Sequence, residues 1–470
     1  MELRSWLNTD RRTGKDMKMG RAEKKDAKRS KKENEAGGSG KKRGLWWKIP
    51  MWIVIVGVAL FGLSNAINYG VSLSLRHYID SFDPVDYSGV DRVVPEFEAP
   101  KGCYSLTTDR DLKIMFITDI HIGGGFFNAA RDRKTVREVI TMLQKEKPDL
   151  VILGGDNTFA VPGPMYHGGG TLNNRMAGRD VIEIFDHEGV YFTTVFGNHD
   201  TEVFGYTGRQ KLANLYMDDR FEYCIFNEEY TDGGDLPAVT NQVILVKNTK
   251  GETTKALLLL DSNAYVDNSI RAVLDWDYDI IRDGEVRWAE RTLKKLGSPE
   301  TVAFFHIPIS EYRIAYEDLE ANGFKNTEDT KYVWGVWDEK VDGNVHSRIW
   351  HGGITQTDVP LADIDSLFET LGPDGMNVLE GCYCGHDHVN NVWVNYRGVD
   401  LVYGYSIDNI AYEDIDRSGL QRGATIITIS PDGRRTTEFK NAYLDYGIPA
   451  NGIYTDRYYY KGARPEDPEK

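Results

Sequence analysis

An α/β fold, built as a mixed pair of β-sheets between helices, is what this sequence predicts, and three observations carry the expectation. Strand-length apolar runs alternate with segments of helical spacing through the middle of the chain. The last third is strand-rich with little helical pattern, which argues for two mixed sheets and against one doubly wound sheet. Five of the strand-like runs stop directly at Asp, Asn or His, where the carboxyl edge of an α/β sheet binds its ligands.

Taken in order, residues 1–44 are basic, contain Gly37-Gly-Ser-Gly-Lys-Lys-Arg43 and hold too few apolar residues to fold alone, so a disordered cytoplasmic tail is expected. No charged residue occurs from Ile49 to Leu75, and Met51–Leu63 is almost wholly apolar, which is enough for a transmembrane helix over 45–75. Trp46, Trp47 and Trp52 stand at an aromatic-belt position and the basic flank is N-terminal. The positive-inside rule then leaves the N-terminus cytoplasmic and the body of a single-pass chain extracytoplasmic. Ser64-Asn-Ala66 resembles a cleavage site, but the preceding region of about 50 residues is too long for a cleaved signal, so an uncleaved anchor is expected.

Residues 76–110, with Pro84, Pro95 and Pro100, read as a linker lying against a folded domain over 111–446, and 447–470 as a tail. Within the domain, strands are expected at 112–118, 150–153, 190–196, 243–246, 256–260, 301–305, 377–384, 391–395, 401–405 and 424–430. Helices are expected at 128–147, 175–187, 285–296 and 363–371. The stretches 157–175, 200–240, 262–284 and 322–362 read as long loops of the kind that shape substrate access.

Charge divides the chain. Residues 1–48 hold 16 Lys/Arg and 7 Asp/Glu, a net of +9, so with −16 overall the remaining residues carry −25. An acidic body excludes nucleic acid as the expected partner. An anionic substrate would need bound metal to attract it. Four cysteines exclude a disulfide scaffold; Cys382 and Cys384 alternate along a strand as core residues, and Cys103 and Cys224 are left open as a pair.

The chemistry gathers at the strand ends. Asp119 and His121 follow the first strand, Asp156 follows two glycines, Asn198 and His199 follow Gly197, His306 ends a fourth strand, and His386 and His388 flank Asp387 after Gly385. Carboxylates and imidazoles from several elements, with one carboxylate to bridge, are what a two-metal site requires. Each motif alone is weak, whereas five in order behind five apolar runs are strong, and half of the ten histidines fall in them. The others sit in linker, loop or helix contexts that suit no metal; for His167 and His351, in Gly-flanked loops, a substrate contact is the lesser reading, and Gly123-Gly-Gly125 reads equally as a close-approach or a flexible loop.

The set Thr118-Asp-Ile-His121, Gly154-Gly-Asp-Asn157, Gly197-Asn-His-Asp200, His306-Ile-Pro308 and Gly385-His-Asp-His388 resembles the calcineurin-like metallophosphoesterases over about 111–430. Phe305-His-Ile-Pro308 followed by Glu311-Tyr312 looks closest to the branch holding the purple-acid-phosphatase-like proteins. That resemblance implies two packed mixed β-sheets flanked by helices, an α+β sandwich. It implies Asp119, His121 and His388 on one metal, Asn198, His306 and His386 on the other, Asp156 bridging, and His199 as the unliganded catalytic histidine. Asp200 is then placed either to orient that imidazole or to cap the turn. Purple acid phosphatases carry Asp-X-Gly at the first motif and a tyrosine three residues after the second-motif aspartate. Here His121 and Phe159 stand there, so a coloured iron site is not expected.

The implied activity is hydrolysis of a phosphate mono- or diester by a metal-bridging hydroxide, with two divalent or trivalent ions (manganese, iron or zinc). The substrate would be a phosphorylated small molecule or a lipid-linked one, and the lipid bilayer a partner through the N-terminal helix. Two other readings are a catalytically silent binding or scaffold protein on the same fold, and a functional basic tail with the domain as cargo.

Overall fold

The computed structural model describes residues 48–159, 161, 170–202, 205–227, 238–265, 270–271, 278–335, 367–388, 390–411 and 422–448. The tail at 1–44, nearly all of 447–470, and His167 and His351 lie outside them. Two units are distinguished, Met1–Ser64 and Asn65–Lys470.

Helix α1 (Lys48–Ile79) carries the apolar stretch and runs four residues beyond the expected end at 75. Its last turns belong to the second unit. Ser72 Oγ donates to Asp180 at 2.7 Å, Arg76 Nε donates to the same carboxylate at 2.8 Å, and Leu75 and Ile79 are buried in the domain's core.

The strands of the domain are β1 (Glu96–Glu98), β2 (Cys103–Thr107), β3 (Leu112–Ile117), β4 (Leu150–Gly154), β5 (Phe192–Val195), β6 (Gln242–Lys247), β7 (Thr253–Leu259), β8 (Thr301–Phe304), β9 (Thr330–Trp334), β10 (Leu379–Cys384), β11 (Trp393–Tyr396), β12 (Val399–Tyr403), β13 (Gly423–Ile429) and β14 (Arg435–Asn441). Among the described residues they form two mixed sheets, ordered β14-β13-β3-β4-β5 and β1-β2-β6-β7-β8-β10-β12-β11-β9. Helices α2 (Ala129–Glu146), α3 (Asn174–His187) and α4 (Arg209–Tyr216) cover the smaller sheet. Helices α5 (Asp283–Lys295), α6 (Glu311–Ala321) and α7 (Leu367–Leu371) cover the larger one.

Strand periodicity builds these layers. In β3, Ile114 and Phe116 face the inter-sheet core while Met115 and Ile117 face the helices, and β7 divides Leu257 and Leu259 from Ala256 and Leu258 in the same way. Strands buried on both faces read as unbroken apolar runs, which is why they were legible. Register then levels their ends. Ile117 pairs with Leu153 and Gly154 with Val195 in parallel; in the other sheet Phe304 pairs with Tyr383 and Cys384 with Tyr403.

Several expectations are corrected. Residues 76–110 are not only a linker: β1 and β2 join the larger sheet, with Tyr104 paired to Ile244. The flanking prolines concealed strands whose partner lies far along the chain. The 200–240 stretch contains α4, and 322–362 contains β9, paired with β11. Helix α6 was missed although Tyr312, Ala315, Tyr316 and Leu319 are buried at helical spacing. Cys103 and Cys224 are free thiols, and Cys382 and Cys384 are buried in β10.

Burial pushes the Asp180 carboxyl up to about 6, outweighing Ser72 and Arg76. Since the folded state holds this proton above the ordinary aspartate value near 3.9, it binds more protons than the unfolded state between those two values. The stability contributed by this group is therefore present below about pH 4 and lost as pH rises through about 6. Chemical denaturation of the wild type against Asp180→Asn is expected to show the wild type losing ground steadily across that window; parallel curves would refute it.

Candidate metal centre

The seven expected metal-ligand residues and His199 all lie at the levelled strand ends. Asp119 and His121 leave β3, Asp156 leaves β4, and Asn198 and His199 open a single helical turn after β5 (His199–Thr201). His306 follows β8, and His386 and His388 follow β10.

These residues meet in two overlapping groups that share Asp156. Donor atoms of Asp119, His121, Asp156 and His388 lie within 4.8 Å of one another, as do those of Asp156, His306 and His386. His388 Nε2 is 3.0 Å from Asp119 Oδ1, His121 Nε2 is 3.5 Å from Asp156 Oδ2, and His306 Nε2 is 3.1 Å from the same Asp156 oxygen. Asn198 Oδ1 stands 3.0 Å from His386 Nδ1, which is itself 3.3 Å from His306 Nε2.

The backbone is forced into this arrangement. Asp119, His121, Asp156 and His386 all take positive φ, between 49° and 77°, a region that L-residues other than glycine enter rarely and at a cost of order 1–3 kcal/mol each. The flanking glycines are there for closeness. A Cβ on Gly197 would stand 2.1 Å from Asp156 Oδ1, and one on Gly385 would stand 1.9 Å from Thr118 Oγ1. The Gly123–Gly125 loop is tied down: Gly123 and Gly124 N–H donate to the Asp132 carboxylate at 3.0 and 2.9 Å, and Gly125 N–H donates to Asn128 at 2.8 Å.

Burial and neighbouring charge oppose each other at every group. Burial raises the Asp119 carboxyl, but His388, His121 and His306 outweigh it and hold the group well below the usual range. Asp156 is likewise raised by burial and held far lower by His306, His199 and His121. Burial lowers His121, yet Asp408, Asp119 and Asp156 bring it up to about 9. His386 goes the other way, lowered by burial and by His306. The acids call for positive charge and the imidazoles crowd one another.

The model of the calcineurin-like phosphoesterase family matches residues 112–404, more than half of the chain. The chain belongs to that family. Curated relatives include probable inactive purple acid phosphatase 28 of Arabidopsis thaliana, 24% identical over 68% of this chain and 75% of that protein. Probable inactive purple acid phosphatase 29 of the same plant is 21% identical over 69% of this chain and 78% of its own length. Among solved structures, a sulfate thiohydrolase of Thermus thermophilus, SoxB with glycerol, matches at 10% identity over 70% of this chain and 56% of that one, with a TM-score of 0.33.

Members of the calcineurin-like family bind two metal ions, and the donor set of this member fits a pair. Asp119 Oδ1 and both ring nitrogens of His121 are buried without a hydrogen-bond partner. Asp119 Oδ1 and His388 Nε2 stand 3.0 Å apart, close enough for one ion to take a ligand atom from each. Orphaned buried acceptors cost about 1–3 kcal/mol each unless something binds them.

Sequence reasoning missed the residues that aim these donors. Asp408 Oδ2 lies 3.0 Å from His388 Nδ1, and its Oδ1 lies 3.9 Å from His121 Nδ1. Toward His121 the Asp408 carboxylate acts by charge alone, while behind His388 Nδ1 it fixes that ring's tautomer and turns its Nε2 inward. The Gly154 carbonyl does the same for His306 at 2.9 Å. Asp408 lies five residues past the end of β12, too far from the apolar run to be marked by it. Asp200 does not meet the His199 ring: it accepts from Thr158 N–H and Gly197 N–H, both at 2.9 Å, and braces the turn. The carboxylate beside His199 Nδ1 is Glu202, at 2.6 Å, itself held by Tyr265 at 3.2 Å. Phe159 stacks on His121 with ring centroids 5.0 Å apart.

Two outcomes are expected. Manganese at 100 times its dissociation constant raises the unfolding free energy by about 2.7 kcal/mol, and Asp156→Asn abolishes that gain in a thermal melt. Asp408→Asn weakens metal binding 10–100-fold in competition with a fluorescent chelator; unchanged affinity would leave Asp408 a purely structural acid.

Proposed function

We propose that this chain is a membrane-anchored, dinuclear-metal phosphoesterase that hydrolyses a phosphate mono- or diester outside the cytoplasm. The observation that carries the reading is the pair of overlapping buried donor clusters sharing Asp156. Asp119, His121 and His388 would hold one ion, Asn198, His306 and His386 the other, with Asp156 between them. Two such ions supply Lewis-acid activation of water and charge neutralisation at phosphate oxygens.

The chain's own residues do the rest. His199 is 17% exposed at the rim of the cluster, its ring 5.3 Å from that of His121. With Glu202 beside Nδ1, Nε2 is the atom that delivers a proton to the leaving oxygen. Phe159, buried against both imidazoles, keeps water from that side. Manganese, iron and zinc all suit the mixed imidazole, carboxylate and amide donors.

Anchoring rests on α1, whose Pro50–Ile79 segment is long and apolar enough to cross a bilayer. The basic flank of residues 1–48 supports a cytoplasmic N-terminus and a single pass. A second reading, a silent binding protein, has one observation in its favour: the curated relatives are named probable inactive. Against it, no expected donor is missing from this chain.

Hydrolysis of aryl phosphate monoesters and diesters by the full chain in detergent, after chelation and after manganese readdition, separates the two. Turnover is expected to vanish with chelator, return with metal and be absent in Asp156→Asn. His199→Gln is expected to lose 10²–10⁴-fold in kcat while keeping its metal. Full metal loading with no turnover on either ester class would favour the binding protein.

A further inference from the structure

Two phenylalanines stand out on the domain's surface. Phe126 is 61% and Phe127 73% exposed, the most exposed large apolar side chains of the domain among the described residues. Their rings pack edge to face, 5.6 Å apart. Tyr206, 45% exposed, is a third aromatic on the same side.

What unites them is the place where the chain enters the domain. Phe126 N–H donates to Asn68 Oδ1 at 3.1 Å, Asn65 Nδ2 donates to the Tyr206 hydroxyl at 3.2 Å, and Asn68 Nδ2 donates to Thr171 Oγ1 at 3.4 Å. Asn65 and Asn68 come directly after the apolar run that ends at Leu63. Beyond them Leu75 and Ile79 are buried in the domain, so that face of the helix is not available to lipid, while Ile67, Tyr69 and Leu73 stay exposed. Counted from the helix start at Lys48, a hydrocarbon core of about 30 Å takes about 20 residues and reaches Ile67. The bilayer surface accordingly falls at Asn65–Asn68, the level to which the three aromatics are tied. Tyr is enriched at the lipid–water boundary, and exposed Phe rings are the kind of apolar side chain that interfacial elements bury just below the headgroups.

The same loop reaches the metal donors. Phe126 is five residues after His121, which limits their separation to about 17 Å even for extended chain. Asp132 and Asn128 hold the intervening glycines, so the aromatic pair and the site form one rigid piece.

We propose, resting on the phosphoesterase reading above, that Phe126, Phe127 and Tyr206 seat the domain on the bilayer its own helix crosses, and that the site takes phosphate esters presented at that lipid surface. The rim docks on a lipid–water interface, with the acyl layer receiving the rings and the phosphate plane facing the metal donors.

The test uses the full chain in phosphatidylcholine nanodiscs. Benzoylphenylalanine in place of Phe127 is expected to photo-crosslink to lipid at least tenfold more than the same group in place of Phe324, an exposed residue elsewhere on the domain. Equal labelling would overturn the docking surface, whether or not the protein is an active enzyme. For the substrate class, a long-alkyl aryl phosphate held in the disc is compared with its water-soluble parent. The wild type is expected to favour the anchored ester, and Phe126→Ser/Phe127→Ser to lose that preference at least tenfold while keeping its rate on the soluble parent. A double variant that keeps the preference overturns the proposal. Should neither ester turn over in the wild type, the phosphoesterase reading and the substrate class fall, and the crosslink alone decides the surface.

Discussion

The carboxylate of Asp156 is the constraint on which the rest of the site depends. It is fully buried, lies within reach of His121 and His306, and belongs to both donor clusters. Taking an acid out of water is costly unless positive charge meets it. Its own backbone is held at φ 49°, and its Oδ1 accepts from His199 N–H at 2.7 Å. A side chain so placed leaves its other oxygen one direction to face, the space between the two groups of imidazoles. Gly197 is needed because nothing larger fits against that carboxylate. Arg209 in turn holds the Gly197 carbonyl at 3.0 Å from α4.

The sheets supply the second condition. Donors on β3, β4 and β5 in one sheet and on β8 and β10 in the other converge only because the parallel registers end level. Phe116, Phe304 and Tyr383 interlock between the sheets, with ring centroids 5.3–6.1 Å apart, and fix their separation just beneath the site. Past the strand ends, the left-handed backbone at Asp119, His121 and His386 sets where these donors point. Core packing and chemistry are therefore one problem: a shift between the sheets would separate Asp119 from His388.

Legibility divides along the same physical line. Donors directly behind apolar runs could be found because a strand buried on both faces has an unmistakable pattern and its end is where polar groups become affordable. Asp408 and Glu202 lacked such a mark. Asp408 acts through His388 and His121, and a residue that orients others has no spacing rule of its own. Glu202 differs from Asp200 by two positions in a turn whose handedness decides which acid meets the imidazole. Strands β1 and β2 were hidden for a related reason, since a strand that depends on a remote partner for its burial need not be apolar enough to announce itself.

The N-terminal helix shows how packing overrules hydropathy. Apolar counting runs from Ile49 to Leu75 without interruption, because a stretch facing lipid and a stretch facing a protein core are equally uncharged. The two are told apart by the polar residues between them. Asn65, Asn68, Ser72 and Arg76 recur at intervals of three and four, one stripe along the helix, and each finds a partner in the domain. In lipid that stripe would leave amides and a guanidinium without partners, whereas against Asp180 and Thr171 it is satisfied. The stripe thus marks the part of the helix that packs on the domain. From Asn65 onward the helix is held by the same packing that stabilises the domain.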